Sequence, residues 1–101
     1  MPFMIDATDK PESAALRAGA RPKHLDYLDS NLARLIAVGA KLRDDGETVW
    51  GSFYIIDVDD RASAETFIQN DPFSKAGLFG KVEMSRWRKG FLDGKKVPPK
   101  T

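Results

Sequence analysis

Four stretches of the chain carry the apolar pattern of β-strands. The run at residues 3–5 predicts an opening strand that ends where polar residues follow. Residues 34–43 and 48–58 have apolar side chains on both alternating faces, and the Asp-Asp-Gly sequence at 44–46 is typical of a tight hairpin turn. Residues 81–89 alternate again. The pattern therefore predicts four strands, with the two middle strands joined as a hairpin.

A helical pattern fills the segment between the first two strands. A helix is expected to begin near residue 10 and to be interrupted at Gly19 and Pro22. Because proline is tolerated in a first helical turn, Pro22 can start a renewed helix that runs to about residue 30. The sequence thus predicts two helical pieces here rather than one long helix.

Apolar spacing indicates which helix faces are buried. Leu25, Leu28 and Leu32 follow the three-to-four spacing of one buried face. A second helix is predicted over residues 60–70, where acidic residues favour the N-terminus. It should end at Asp71, because the residue before a proline is pushed away from helical angles. Each predicted helix can therefore pack against a sheet.

The predicted order β-α-β-β-α-β is the split βαβ arrangement of ferredoxin-like folds. The fold class is therefore α+β, with a four-stranded antiparallel sheet and two helices on one of its faces. The other face would be uncovered, yet the middle strands are apolar on both sides, with Phe53 and Tyr54 pointing in opposite directions. A second copy of the chain is the simplest cover, so we expect a C2 homodimer formed through the open sheet face.

Composition narrows the class of protein. A chain of 101 residues with 42% hydrophobic and 31% charged residues is typical of one globular domain. No apolar run reaches the roughly 20 residues that cross a bilayer, and no leader pattern is present, so we expect a cytoplasmic location and no membrane partner. There is no cysteine and only one histidine. A metal site of sulfur or several histidines is thereby excluded within one chain, and no cofactor is expected.

Charge is uneven along the chain. Residues 81–101 contain seven Lys or Arg against Glu83 and Asp93. We expect a domain over residues 1–93 and a flexible basic tail over residues 94–101. Nucleic-acid binding by this basic end is the least favoured interpretation, because aromatic and basic residues do not recur there as a binding pattern.

Three segments together resemble the YciI-like (YCII-related) family. They are RPKHLDYL at 21–28, VGAKLRDDGETVWGSFYIID at 38–57 and NDPFSKAGLFGKVEMSRWR at 70–88, and the resemblance extends over about residues 3–87. It implies a ferredoxin-like protomer that pairs sheet to sheet into a dimeric α+β barrel, similar in fold to muconolactone isomerase.

The resemblance also implies a site. A His-Asp pair suggested for the family falls on His24 and Asp71, and Ser52 stands where the family often has a small polar residue. Two helices on one side of a sheet can bring the first two together, and a carboxylate on one ring nitrogen would leave the other free for proton transfer. The alternative is that His24 is a helix-surface residue and Asp71 a helix stop.

Three functions remain open. The first is a small cofactor-independent enzyme in which His24 is general acid or base, Asp71 orients it, and Ser52 with an arginine such as Arg21 positions a small anionic or aromatic substrate. Isomerisation, lactone chemistry, dehalogenation and hydrolysis all fit this arrangement. The second is a non-catalytic ligand-binding or accessory module that uses the same pocket. The third, nucleic-acid binding, is the weakest.

Overall fold

The computed structural model describes residues 1–98 as an α+β fold. In chain order its elements are β1 (Phe3–Asp9), α1 (Ala14–Asp29), β2 (Leu35–Leu42), β3 (Val49–Ile56), α2 (Arg61–Asn70), α3 (Pro72–Lys75), β4 (Phe79–Arg86), β5 (Phe91–Leu92) and β6 (Lys95–Lys96). The first four long strands form an antiparallel sheet in the order β2-β3-β1-β4. The predicted ferredoxin-like architecture is confirmed.

Strand β1 lies at the centre of the sheet and carries the middle of the core. Ile5 pairs with Tyr54 on β3 and with Met84 on β4. Phe3, Ile5 and Ala7 alternate along β1 and are all buried toward the helices. Because side chains of a strand alternate between faces, this stripe fixes which side of the sheet the helices cover.

The opening strand is longer than the sequence pattern suggested. It continues to Asp9, and its polar positions Asp6 and Thr8 both bond to the ammonium group of Lys41 on the uncovered face. The prediction that a helix begins near residue 10 is therefore wrong. Cross-strand pairing extends β1 through these polar positions, and α1 begins only at Ala14.

Helix α1 is continuous, so the predicted interruption at Gly19 and Pro22 is wrong. Pro22 lacks the N–H that would bond one turn back, a loss that usually weakens a helix interior. Arg17 before it and His24 after it are both held by hydrogen bonds to other elements. These contacts hold the helix on both sides of the proline, which local propensity could not show.

The predicted leucine face is wrong at two of its three positions, while Leu28 is partly buried against the core. Leu25 is 38% exposed and Leu32 is 64% exposed. Helix α1 ends at Asp29, and Leu32 falls in a short 3-10 turn, so the helical spacing does not continue to that residue. The buried side chain of α1 is His24 instead. The most buried position of the helix is thus held by a polar residue, four positions before Leu28 on the same side.

The described residues end in a small hairpin beyond the main sheet. Strands β5 and β6 pair with each other, and the backbone N–H of Val97 donates to the carbonyl of Gly90 at 2.9 Å. Residues 94–98 of the predicted flexible tail belong to this hairpin region, and residues 99–101 lie outside the described residues. A separate mobile tail stays a prediction. Within residues 1–98, no helix has the length and apolar character to cross a membrane.

The sheet face away from the helices is a mixture of apolar and charged positions. Met4, Phe53 and Ile55 are partly exposed there, while Tyr54 points to the buried side. Lys41 crosses this face, and a Cβ at position 51 would overlap its Cε and the carbonyl oxygen of Ala7. Glycine at position 51 is therefore required by the close approach of these groups.

Candidate active site

The candidate site is a buried contact between helix α1 and the junction of α2 with α3. Nδ1 of His24 lies 2.8 Å from Oδ1 and 2.9 Å from Oδ2 of Asp71. His24 is 6% exposed and Asp71 is 0% exposed. The two residues are 47 positions apart, and the fold brings them together because their helices cover the same face of the sheet. The expected pair is therefore present as a buried ion-pair contact.

Asp71 is placed by the backbone break between two helices. Its extended conformation, with φ −64° and ψ 130°, ends α2 and precedes Pro72 in the first position of α3. Oδ1 also accepts the backbone N–H of Phe73 at 2.9 Å, which is an N-cap bond. One carboxylate thus caps the short helix and holds His24. The helix-stop interpretation is confirmed for Asp71, which also contacts His24, and its role in a catalytic site stays a prediction.

Tyr54 is the third side chain on this carboxylate. Its hydroxyl donates to Oδ2 of Asp71 at 2.7 Å. Burial raises the pKa of Tyr54 well above its ordinary value, and the charge of Asp71 and the hydrogen bond to it act in the same direction. Hydrogen bonding from Ser52 and the charge of Arg17 oppose this rise without cancelling it. Tyr54 therefore keeps its proton and acts as a donor.

These contacts assign the proton on the imidazole. A carboxylate only accepts hydrogen bonds, so Nδ1 of His24 carries a proton toward Asp71, and in the neutral ring Nε2 is bare. Nε2 makes no hydrogen bond to residues 1–98. Because no buried side-chain nitrogen or oxygen in that range lacks a partner, Nε2 must reach solvent. The ring therefore offers a free proton acceptor at the surface of the cluster.

Phe73 packs against the imidazole and fixes the plane of the ring. The two ring centroids are 3.8 Å apart, with an interplanar angle of 14°. Phe73 is itself buried in α3, one residue after the proline that starts that helix. The Asp-Pro-Phe sequence thus supplies both the hydrogen-bond partner of His24 and its stacking partner, which limits the ring to one orientation.

Sequence reasoning missed Arg17, which lies on the same side of α1 as His24. Nε donates to Oδ2 of Asp9 at 2.8 Å, and Nη2 donates to Oδ1 at 3.0 Å and to Oγ of Ser52 at 2.8 Å. Its guanidinium carbon is 4.6 Å from the centroid of Phe73. Arg17 precedes His24 by seven residues, which is two turns of a helix, and that spacing was a signal available in the sequence.

Ser52 and Arg21 differ in their relation to this cluster. Ser52 is 2% exposed and lies on β3 beside Tyr54, where it accepts from Arg17. Arg21 is exposed, and it makes no hydrogen bond or ion pair with the cluster among residues 1–98. The fold brings His24 and Asp71 together with Ser52, with Arg17 rather than Arg21 as the arginine between them. The substrate-binding roles of Ser52 and Arg21 stay predictions.

Two hollows flank the cluster. One, of about 440 Å³, has both Asp9, the partner of Arg17, and Trp50 in its lining. The second, of about 640 Å³, lies between α1 and α3 and is lined by Lys23 and Pro72, which adjoin His24 and Asp71 in sequence. Within residues 1–98, no group of three or more histidine or acidic side chains is arranged to hold a metal ion. The side chains of the cluster itself can transfer a proton and form hydrogen bonds.

The protein therefore has a ferredoxin-like α+β fold. The buried imidazole–carboxylate contact beneath its helices is a candidate proton-transfer site. The chain belongs to the family of YCII-related domains, whose sequence model matches residues 1–88. The family resemblance read from the sequence is thereby confirmed.

Solved structures extend this comparison. The 5-chloro-2-hydroxyhydroquinone dehydrochlorinase (TftG) of Burkholderia phenoliruptrix AC1100, in complex with 2,5-dihydroxybenzoquinone, is 33% identical with a TM-score of 0.81, over 89% of this chain and 96% of that one. A protein of Arabidopsis thaliana is 10% identical with a TM-score of 0.47, over 91% of this chain and 97% of that one. No curated protein matches the chain. The first neighbour is an enzyme that acts on a small molecule.

Proposed function

We propose that the protein is a small cofactor-independent enzyme that moves protons on hydroxylated aromatic or quinoid molecules. The observation that carries the proposal is the orientation of His24. Its Nδ1 lies on the buried carboxylate of Asp71, and its Nε2 is open to solvent. An imidazole held in this way accepts a proton at Nε2 and returns it from the same atom, which is the function of a general acid–base.

Asp71 stabilises both charge states of the ring. While the imidazole is neutral, the carboxylate holds the proton on Nδ1; once Nε2 has taken a proton, the same carboxylate pairs with the imidazolium at 2.8 Å. The donor from Tyr54 keeps the carboxylate itself in place. No rearrangement is needed during proton transfer, and such preorganised electrostatics lower the barrier.

The neighbour at 33% identity supports the substrate class, because its printed substrate is a chlorinated trihydroxylated ring. For this chain, loss of hydrogen chloride from such a ring would take two proton transfers at Nε2. First, a hydroxyl proton moves through His24 to the carbon that bears chlorine. A second hydroxyl proton is then removed, its electron pair enters the ring, and chloride leaves with the pair of the C–Cl bond. The product is a quinone, and no oxidant is consumed.

The test compares the parent protein with His24→Gln on 5-chloro-2-hydroxyhydroquinone, read by chloride release. General acid–base groups contribute about 10²- to 10⁴-fold, so the variant should lose turnover by that factor while keeping its far-UV circular dichroism. Equal rates for the two proteins would remove His24 from the mechanism. Intact binding of the ring without chloride release by the parent would instead support a non-catalytic ligand-binding module.

We also infer that a second copy of the chain covers the open sheet face. In the single chain Met4, Phe53 and Ile55 are partly exposed on this face, and apolar area there gains roughly 25 cal/mol per Å² when buried. Light scattering coupled to gel filtration should give the mass of a dimer for the parent and a smaller mass for Phe53→Glu. A parent protein that is monomeric at every concentration tested would contradict the inference.

A further inference from the structure

The C-terminal hairpin lies outside the part of the chain that the family model matches. That match ends at residue 88, and β5 and β6 follow it as a two-stranded sheet separate from the main one. Each strand has two residues, and Phe91 is 71% exposed. A hairpin of this size gains too little from its own contacts to be stable alone. We therefore expect another surface to pack on it.

A hollow of about 920 Å³, here called the terminal cleft, lies between this hairpin and the start of the chain. The apolar side chains of Met1 and Phe91 belong to its lining, and both are exposed. Its charged lining residues are Asp57 and three basic side chains, Arg88, Lys89 and Lys96. The terminal cleft therefore suits a partner surface that is apolar and carries negative charge.

The turn between β2 and β3, here called the acidic turn, has the matching chemistry. Leu42 and Val49 pair with each other at its base and are 46% and 37% exposed. Its exposed charged residues are Arg43, Asp44, Asp45 and Glu47. Asp45 accepts hydrogen bonds within the turn, whereas the carboxylates of Asp44 and Glu47 form no hydrogen bond or ion pair within residues 1–98. These two carboxylates are therefore available to a partner.

A single chain cannot bring the two surfaces together, because they lie at opposite ends of the main sheet. Phe3 pairs with Ile56 at the end near the terminal cleft, and Leu42 pairs with Val49 at the other end. The length of β3 alone separates these ends by roughly 23 Å, at a rise of 3.3 Å per residue. We propose that the acidic turn of one chain occupies the terminal cleft of a second copy. This contact is independent of the proposed chemistry and extends the homodimer inferred above.

Charge selects the orientation of the two copies. Residues 88–98 contain four Lys or Arg against one Asp, and residues 42–49 contain three acids against one Arg. A two-fold axis along the strands would place cleft on cleft and turn on turn, which brings like charges together. An axis across the strands places opposite ends together, and its symmetry makes the cleft-to-turn contact twice. The second arrangement is therefore favoured.

Binding of nucleic acid by the basic hairpin is the competing explanation for its charge. Such binding would depend on the lysines and would not involve the acidic turn at the far end of the sheet. The proposed contact depends equally on both surfaces. Charge reversal in the acidic turn therefore distinguishes the two explanations.

The experiment uses two variants with opposite charge changes. Lys89→Glu/Lys96→Glu makes the terminal cleft acidic, and Asp44→Lys/Glu47→Lys makes the turn basic. Asp45 is left in place because its hydrogen bonds shape the turn. Each variant alone opposes like charges at both contacts of its dimer. We expect its dimer affinity, measured by sedimentation equilibrium, to fall roughly tenfold to a hundredfold, as several exposed ion pairs are lost together.

An equimolar mixture of the two variants is the decisive sample. In a heterodimer every contact again joins opposite charges, so we expect the affinity to return to about that of the parent. An affinity tag on one variant, followed by native mass spectrometry of the captured dimers, should show heterodimers in excess of random assortment. Asp26→Lys/Asp29→Lys is the matched control, because it makes the same charge change on the exposed side of α1 and should leave dimer affinity unchanged.

The other outcomes overturn the contact. They are parent affinity in either reversed homodimer, random assortment in the mixture, and an equal loss in the α1 control. If Phe53→Glu still gives monomers in any of these cases, the dimer through the open sheet face stands and only this contact falls. A parent protein that is monomeric overturns both. If a reversed variant fails to fold, Phe91→Ser removes the exposed phenyl group of the cleft, and unchanged dimer affinity in it overturns the contact.

Discussion

Asp71 and Asp45 each accept three hydrogen bonds, yet they do different things. Asp45 is exposed and accepts the backbone N–H groups of Glu47 and Thr48 and the hydroxyl of Thr48, all within three residues. Asp71 is fully buried, and two of its three donors are side chains 47 and 17 positions away. The same number of bonds shapes a turn in one case and holds an imidazole in the other.

The comparison shows how burial and sequence distance distinguish an aspartate that shapes a local turn from one that joins distant elements. Water can replace the partners of Asp45 if they are lost, because that carboxylate is already at the surface. No water reaches Asp71, so any loss there leaves a polar group buried without a partner. We therefore expect substitution of the buried aspartate to lower stability and activity far more than substitution of the exposed one.

The largest expected difference between the two aspartates is in turnover, when each is replaced by asparagine. Asp71→Asn places an amide beside Nδ1, and an amide N–H there favours the tautomer with its proton on Nε2. We expect a loss of roughly 10²- to 10⁴-fold in kcat, as for other bases held in the wrong tautomer. Asp45→Asn, as the matched control, should retain full activity. Comparable rates for the two variants would show that Asp71 does not orient the base.

The free energy of unfolding should also change more at the buried aspartate than at the exposed one. Asp71→Ala removes the acceptor of three donors and should lower the free energy of unfolding by about 3 kcal/mol, which is the scale for a broken buried charge contact. Asp45→Ala should cost much less. Urea unfolding of both variants and the parent gives the comparison. A smaller loss for Asp71→Ala than for Asp45→Ala would mean that the buried cluster does not stabilise the fold.

Tyr54 should make the free energy of unfolding depend on pH in the alkaline range. Burial first, and then the charge of Asp71, raise the pKa of Tyr54 above its ordinary value of 10.0. A raised pKa means that the folded state holds the proton more tightly, so its contribution is present below pH 10.0 and is lost as the pH rises further. Tyr54→Phe should flatten this part of the stability profile. An unchanged slope in the variant would contradict the assignment.

The smallest expected effect is at Asp45. Hydrogen bonds from Thr48, and then from Glu47, lower the pKa of Asp45 from 3.8 to about 2. Its stabilising contribution is present above pH 3.8 and is lost as the pH falls toward 2. NMR titration of this carboxyl should give a midpoint near 2 that moves upward in Thr48→Val. A midpoint of 3.8 in the parent would mean that the turn is open in solution.

Local sequence patterns were enough to predict the fold class and the exposed turn. Alternating apolar positions predicted the four main strands, and the Asp-Asp-Gly sequence predicted the hairpin that Asp45 closes. Both depend on residues close together in the chain. The continuity of α1 through Pro22 depends instead on Arg17 and His24, whose partners lie on other elements. Local propensity therefore predicted a break that tertiary contacts prevent.

The site was predictable only in part. The element order placed His24 and Asp71 under the same helices, and a family resemblance selected them from other polar residues. Tyr54 and Arg17 were not assigned to the site, because their roles depend on which strand face and which helix side turns inward. The leucine spacing on α1 included Leu25 and Leu32, which are exposed, and the position of Arg17 two turns before His24 was not recognised.

The most direct test of the account is the position of the proton on the neutral imidazole. Nitrogen-15 NMR of His24, the sole histidine, distinguishes a protonated ring nitrogen from a bare one. We predict a proton on Nδ1, directed to Asp71, and a bare Nε2 in the parent, with this preference lost in Asp71→Asn. A proton on Nε2 in the parent protein would contradict the central claim, because the nitrogen assigned to accept substrate protons would already be occupied.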